Sequence, residues 1–329
     1  MIKTIIIAEV GINHNGNYKL AKKYIDHCKL INVDIVKFQI AIPEKVVLEN
    51  TKKAKYQKIN KQDNETQLQM IKKLHLSIDE YKKLIDYANF KNIEIMFSAF
   101  DNESLDIILK SKLIKRIKIP SGEITNRPYL EKISLSRKEI ILSTGMSDMI
   151  EIKNAIKILK DNKLTLMHCT SNYPTKFSDV NLNVIDSFKQ KFKYPIGYSD
   201  HTIGFEVPIA AVVKGASIIE KHITFNQNQK GPDHKASMSI HDFSKMISMI
   251  RNIELSFGNK NKILTNSERS NKLIVRKSIF AKTNIKKGDT LSYKNLCIIR
   301  PGTGCSPMSI NKFLGKKSKF NFKENDKIK

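Results

Sequence analysis

Short apolar runs recur along the chain, and each closes on polar or ionisable groups: TIIIAEV (4 to 10), DIVKFQI (34 to 40), EIMFSAF (94 to 100), RIKIP (116 to 120), EIILSTG (139 to 145), LTLMHCT (164 to 170), YPIGYSD (194 to 200) and SIIEKHIT (217 to 224). Runs of this length and β-branched content read as strands buried on both faces. Between them the apolar residues take a helical period. Leu20, Tyr24, Cys28 and Ile31 form one stripe, and Phe243, Met246, Ile247, Ile250 and Phe257 form another that stops at Gly258. Strand alternating with helix implies parallel pairing through right-handed crossovers, and eight such units predict an α/β fold, a (β/α)8 TIM barrel. An open doubly wound sheet is the competing arrangement, but no GxGxxG follows the first strand. Residues 41 to 76 are long for a βα connection and are expected to carry a helix and a loop over the barrel mouth.

After Gly258 the pattern changes. SIFAKTNIKKGDTL (278 to 291) and LCIIRPGTGCSP (296 to 307) read as short strands with turn signals, and no long amphipathic helix is expected from Glu268 onward. The division is therefore a barrel over 1–260 and a small β-rich domain over 268–329. A domain of about sixty residues is marginal alone and is expected to lean on the barrel or on a second subunit.

Composition narrows the function classes. The 329 residues carry a net charge of +26, with an isoelectric point near 9.7, which raises nucleic acid as a partner. Arginine, the residue suited to bidentate phosphate and base recognition, occurs at only seven positions; the remaining basic charge is lysine spread along helices. This pattern fits a solvated surface better than a reading head, and it leaves an anionic small substrate open. Cys28, Cys169, Cys297 and Cys305 are scattered without a CxxC, so neither a disulfide framework nor a structural zinc site is expected. The apolar run before Glu9 is too short for a signal segment or a membrane span, so a cytoplasmic protein with no membrane partner is expected.

Barrels of this class place their chemistry at the C-terminal ends of the strands. Here those ends carry Glu9, Lys37 and Gln39, Ser98, Lys118 with Ser121 and Glu123, Ser143 and Thr144, His168, Ser199 with Asp200 and His201, and Glu220 with His222. Alternation turns Lys37 and Gln39 away from Val36 and Phe38, and Lys118 away from Ile117 and Ile119. A buried lysine costs several kcal/mol unless an anion pairs with it, so two of them imply an anionic ligand. The alternative is that each snorkels past the strand end to water. His201 and His222 close neighbouring strands and could share one cation. Two imidazoles with the other positions open suit an exchangeable ion, Mn2+ or Mg2+, acting as a Lewis acid.

The motifs AEVGINHNG (8 to 16), VKFQ (36 to 39), KIPSGEITN (118 to 126), LSTGM (142 to 146), HCTSNYPT (168 to 175), GYSDHT (197 to 202), EKHIT (220 to 224), GPDHKAS (231 to 237), RKSIFAKTNIKKGD (276 to 289) and RPGTGCSP (300 to 307) resemble, in order and over essentially the whole chain, the bacterial sialic acid synthase family. The resemblance implies a barrel followed by an antifreeze-like (SAF) domain in a domain-swapped homodimer. The implied reaction condenses phosphoenolpyruvate, an open-chain N-acetylmannosamine and water into a nine-carbon 2-keto sugar acid plus phosphate. The expected product is N-acetylneuraminate. The alternatives are an N,N'-diacetyllegionaminate synthase using 2,4-diacetamido-2,4,6-trideoxymannose and, from another class, a lysine-rich nucleic-acid-binding protein.

By the same resemblance Lys37, Ser98, Lys118, Ser121, Ser143 and Ser199 hold phosphoenolpyruvate, His201 and His222 bind the metal, and Glu9 and Glu123 are the acid/base carboxylates. Gln39, Asn60, Tyr173, Asp233 and Arg300 hold the sugar, the arginine from the partner's small domain. The chain departs from the family pattern at Ile40, His75, Ala99, Ser171 and Asn172. None of these is a lysine, carboxylate or metal position, so the departures bear on sugar selectivity.

Overall fold

Eight parallel strands form among the described residues: β1 (Ile5–Gly11), β2 (Ile35–Ile40), β3 (Glu94–Ala99), β4 (Arg116–Ile119), β5 (Glu139–Ser143), β6 (Leu164–Cys169), β7 (Ile196–Asp200) and β8 (Ile218–Thr224). They pair in sequence order, and β1 also pairs with β8, so the sheet closes into a barrel. A two-residue β9 (Met238–Ser239) adds to the end of β8. The computed structural model describes residues 3–53, 57 and 65–329.

The connecting helices are α1 (Tyr18–Leu30), α2 (Gln67–Leu74), α3 (Ile78–Phe90), α4 (Asn102–Lys110), α5 (Arg127–Ser134), α6 (Met149–Leu159), α7 (Asn183–Lys191), α8 (Glu206–Val213) and α9 (Ile240–Ser256). Each strand sends alternate side chains two ways. Val36, Phe38, Ile117 and Ile119 face outward into the large core between strands and helices. Ile7, Ile35, Met96, Ile141, Met167 and Ile218 face inward and meet as an apolar layer across the barrel axis. The expected helical stripes hold, with Tyr24 and Cys28 buried on α1 and Phe243, Met246, Ile247 and Ile250 buried on α9; Phe257 is exposed beyond it.

The long connection after β2 carries a helix, as its length predicts. Thr66 and Gln69 cap α2 reciprocally. Its far end is fixed where Gly16 N–H donates to Leu74 O at 3.1 Å. Gly16 has φ +67°, and a Cβ there would lie 2.5 Å from Lys73 O, so only glycine permits this approach. At the near end Asp101, the N-cap of α4, also accepts from Ile42 N–H at 2.8 Å.

The chain divides into two units, Met1–Phe257 and Gly258–Lys329. In the second, β10 (Ser278–Ala281) and β11 (Leu296–Ile299) form an antiparallel pair over a small core of Ile279, Ala281, Ile285, Leu291, Leu296 and Ile328. Ahead of them lies α10 (Asn266–Val275), capped by Thr265 and Glu268, which corrects the expectation of strands alone. No residue of α10 is buried, so no apolar periodicity announces it. No described helix is long and apolar enough to cross a membrane.

Candidate active site

One pleat above the apolar layer, the same strands present a different set of side chains. Glu9, Lys37, Ser98, Ser143, Cys169 and Glu220 stand two residues beyond Ile7, Ile35, Met96, Ile141, Met167 and Ile218. Strand register brings distant segments side by side: Glu9 aligns with Lys37 and with His222, Ser98 with Lys118, and Ser199 with Glu220. Together they line a cleft of about 420 Å³ that also takes in Gln39, Ser121, Tyr173, His201 and Asp233.

The two buried lysines find their anion inside the protein. Lys118 Nζ donates to Glu220 Oε1 at 2.6 Å, Lys37 Nζ lies 3.2 Å from the same oxygen, and Ser199 Oγ donates to it at 3.1 Å. Lys37 Nζ is also 3.3 Å from Glu9 Oε2 and donates to Ser98 Oγ at 3.3 Å. Neither lysine snorkels to water, and neither waits for a ligand to neutralise it. Sequence reading noted Glu220 at a strand end but gave it no role. The signal was present in IIEKHIT, where Glu220 and His222 share one face while Lys221 takes the other.

The four charges settle unequally. Burial alone would raise the Glu220 carboxyl, but Lys118 and Lys37 hold it well below the usual carboxylate range. Burial pushes Glu9 upward; Lys37 opposes this in part and Glu220 reinforces it. Of the two carboxyls in this cluster, Glu9 is therefore the one that more readily holds a proton. Burial lowers Lys118 against the pull of Glu220, whereas Lys37, between two carboxylates, is raised in spite of burial.

Next to this cluster lie the histidines. Their ring centroids are 5.7 Å apart, and Tyr173 packs on both, at 4.1 Å from His201 and 5.8 Å from His222. Burial keeps both neutral, His201 at about 4 and His222 well below its ordinary value. His201 Nδ1 donates to Thr170 O at 2.7 Å, which leaves Nε2 with its lone pair. His222 Nδ1 is buried without a hydrogen bond, 3.8 Å from Asp233 Oδ2. Burial and then Glu9 push Asp233 up to about 7. Neutral imidazoles with free nitrogens fit a divalent cation whose remaining positions are open. Among the described residues no group of three or more His, Cys, Asp or Glu is arranged to hold one.

On the opposite wall Ser121 Oγ accepts from Gly145 N–H at 3.0 Å and lies 3.3 Å from Cys169 Sγ. A Cβ on Gly145 would come within 2.3 Å of Ser171 Oγ and 2.8 Å of Ser121 Oγ, so glycine there lets these side chains pack close to the backbone.

Other sequence-predicted residues stand elsewhere. Glu123 is half-buried in a single turn after β4, accepts from Asn126 Nδ2 at 2.6 Å, and does not line the cleft. Asn60 lies outside the described residues. Arg300 is exposed in the second unit, just after β11. His168 donates Nε2–H to Val180 O at 2.7 Å and packs on Phe188 and Tyr198, a core histidine. Asp200 does not act with His201 in the cleft. It faces outward to Lys221 and Thr202.

Comparison with known proteins places these residues in context. The model of the NeuB family matches residues 24–262. The chain is 45% identical, over all of both sequences, to the N,N'-diacetyllegionaminic acid synthase of Campylobacter jejuni. It is 40% identical to the enzyme of the same name from Legionella pneumophila, over 96% of this chain and 90% of that one. Among solved structures it is similar to the N-acetylneuraminic acid synthetase of Leptospira borgpetersenii in complex with citrate, with a TM-score of 0.72 and 32% identity over 82% of this chain and 90% of that one.

Proposed function

Because this chain belongs to the NeuB family, we propose that it is a sugar acid synthase that condenses phosphoenolpyruvate, water and 2,4-diacetamido-2,4,6-trideoxymannose into N,N'-diacetyllegionaminate and phosphate. The observation that carries the choice of sugar is the 45% identity along the entire length of the Campylobacter jejuni diacetyllegionaminate enzyme. It reverses the order expected from the motifs, where N-acetylmannosamine stood first. The N-acetylneuraminate reading is second, favoured by the likeness to the Leptospira borgpetersenii synthetase.

In this reading the phosphate and carboxylate of phosphoenolpyruvate meet Lys37 and Lys118, which Glu220 holds in place, with Ser98, Ser121, Ser143 and Ser199 as further donors. The C2–C3 π pair of phosphoenolpyruvate forms the new bond to the aldehyde carbon, and Glu9 gives its proton to the aldehyde oxygen. Water adds at the cationic C2 and returns one proton to Glu9. The C2–O bond to phosphorus then breaks, phosphate leaves with the bonding pair and the remaining hydroxyl proton, and C2 becomes the ketone. A divalent ion such as Mn2+ or Mg2+ on His201 and His222 would supply Lewis-acid polarisation of the aldehyde. Gln39, Tyr173, Asp233 and Asn60 orient the sugar.

The reading extends to an antifreeze-like second unit in a domain-swapped homodimer, with Arg300 reaching the partner's sugar. The test is phosphate release with Mn2+ and with EDTA, offering the diacetamido sugar and N-acetylmannosamine side by side, with products weighed by mass. Metal-dependent turnover that prefers the diacetamido sugar supports the proposal; preference for N-acetylmannosamine promotes the second reading, and release with neither sinks both.

A further inference from the structure

The cleft has two chemically different walls. The hydroxyls of Ser121, Ser143 and Ser199 come from the ends of β4, β5 and β7. The arc from β1 to β3 and its connections adds six apolar side chains, Ile12, Ala41, Val46, Met70, Ile71 and Phe100, above the polar groups Lys37, Gln39 and Ser98 of its strands and beside Gln67 and His75. Ile12, Ala41 and Met70 are buried and the other three are half-buried, yet none of the six joins any hydrophobic cluster of the protein. Buried apolar side chains normally belong to a core. These face the cleft, so among the described residues their surface has no apolar cluster to join.

The wall is also held as one piece. Gln67 N–H donates to Thr51 O at 2.9 Å, and Lys72 pairs with Glu44 at 2.8 Å, so α2 is tied to the start of the same connection. The same arc carries Gln39, whose amide donates to Glu9 Oε1 at 3.2 Å and which aligns with Ser98 of β3.

Resting on the function proposed above, we infer that this wall is a specificity surface that receives the deoxy carbon and acyl methyls of the acceptor sugar. A fully hydroxylated sugar edge would leave its hydroxyls unpaired against these six side chains. A 6-deoxy, N-acylated sugar presents methyl groups to the same surface.

The experiment substitutes Val46→Thr and Ile71→Thr, singly and together, and compares kcat/KM for 2,4-diacetamido-2,4,6-trideoxymannose and N-acetylmannosamine, with KM for phosphoenolpyruvate and Tm as controls. The expected result is a shift of about tenfold in the ratio toward the hydroxylated sugar, with the phosphoenolpyruvate KM and Tm nearly unchanged in at least the Val46→Thr protein. An unchanged ratio, or an equal loss with both sugars, overturns this inference alone. Wild-type protein that turns over neither sugar overturns the parent reading and this inference with it.

Discussion

Two lysine–carboxylate clusters lie one residue apart along β7 and β8, on opposite faces of the same strands. Outside the barrel, Lys221 pairs with Asp200 and donates to Thr202 O at 2.6 Å, while Asp200 also accepts from Tyr198 OH at 3.1 Å and from the amide and hydroxyl of Thr202. Every buried polar atom there is satisfied. Inside the barrel, Lys118 and Lys37 share Glu220, but Glu220 Oε2 has no hydrogen bond, and Glu9 Oε2, though 3.3 Å from Lys37, is not aligned for one. Both clusters bury the same kinds of charge. What separates them is unfilled bonding capacity open to a cleft, and burial of charge by itself says little about function.

Four measurements break or sharpen this contrast. Lys221→Met leaves Asp200 charged and buried without a counter-ion, and unfolding should show a loss of roughly 3–5 kcal/mol. Activity per folded molecule should hold; a fall in kcat with unchanged stability would erase the distinction. Lys118→Met should do the reverse. Phosphate release falls about 10²–10³-fold because a donor to the developing charge is gone, while stability drops less than in Lys221→Met because Lys37 remains beside Glu220.

His14 sharpens the contrast, since both its ring nitrogens are unbonded but it does not line the cleft. Burial and then His75 hold its ring down to about 3, against an ordinary value of 6.5. On acidification the unfolded chain takes up this proton first. The contribution is therefore complete above pH 6.5 and is lost as pH falls toward about 3, with a slope near 1.4 kcal/mol per unit. Because burial also depresses His75, His201, His222 and His234, denaturation from pH 7 to 4 should show a steeper total slope, and His14→Phe should reduce it by about 1.4 kcal/mol per unit. The smallest effect is Tyr198→Phe, which removes one donor to Asp200 and should cost about 0.5–1.5 kcal/mol in denaturant with kcat unaltered.

The barrel was legible because each strand is a run of apolar residues whose alternation survives into the structure. The convergence of Glu9, Lys37, Ser98, Lys118, Ser199, His201 and His222 on the cleft followed from strand ends alone. The link from Glu220 to both lysines was not legible, because a pairing across the barrel, 102 residues apart for Lys118, leaves no local pattern. From the sequence the lysines imply an external anion; the structure adds that Glu220 already pairs with both. Glu123 shares a motif with Lys118 but not its direction, since the chain turns after Pro120. The helix α10 carries its cue in the Thr265 and Glu268 cap rather than in any buried stripe.

The apolar layer of Ile7, Ile35, Met96, Ile141, Met167 and Ile218 closes the barrel beneath the lysines. Among the described residues it seals the bottom of the cleft, so the site is a blind alley at that end. Whatever seats deepest must enter first, and whatever is released there must wait for the molecule above it to depart, so the sealed floor imposes a queue on arrival and exit.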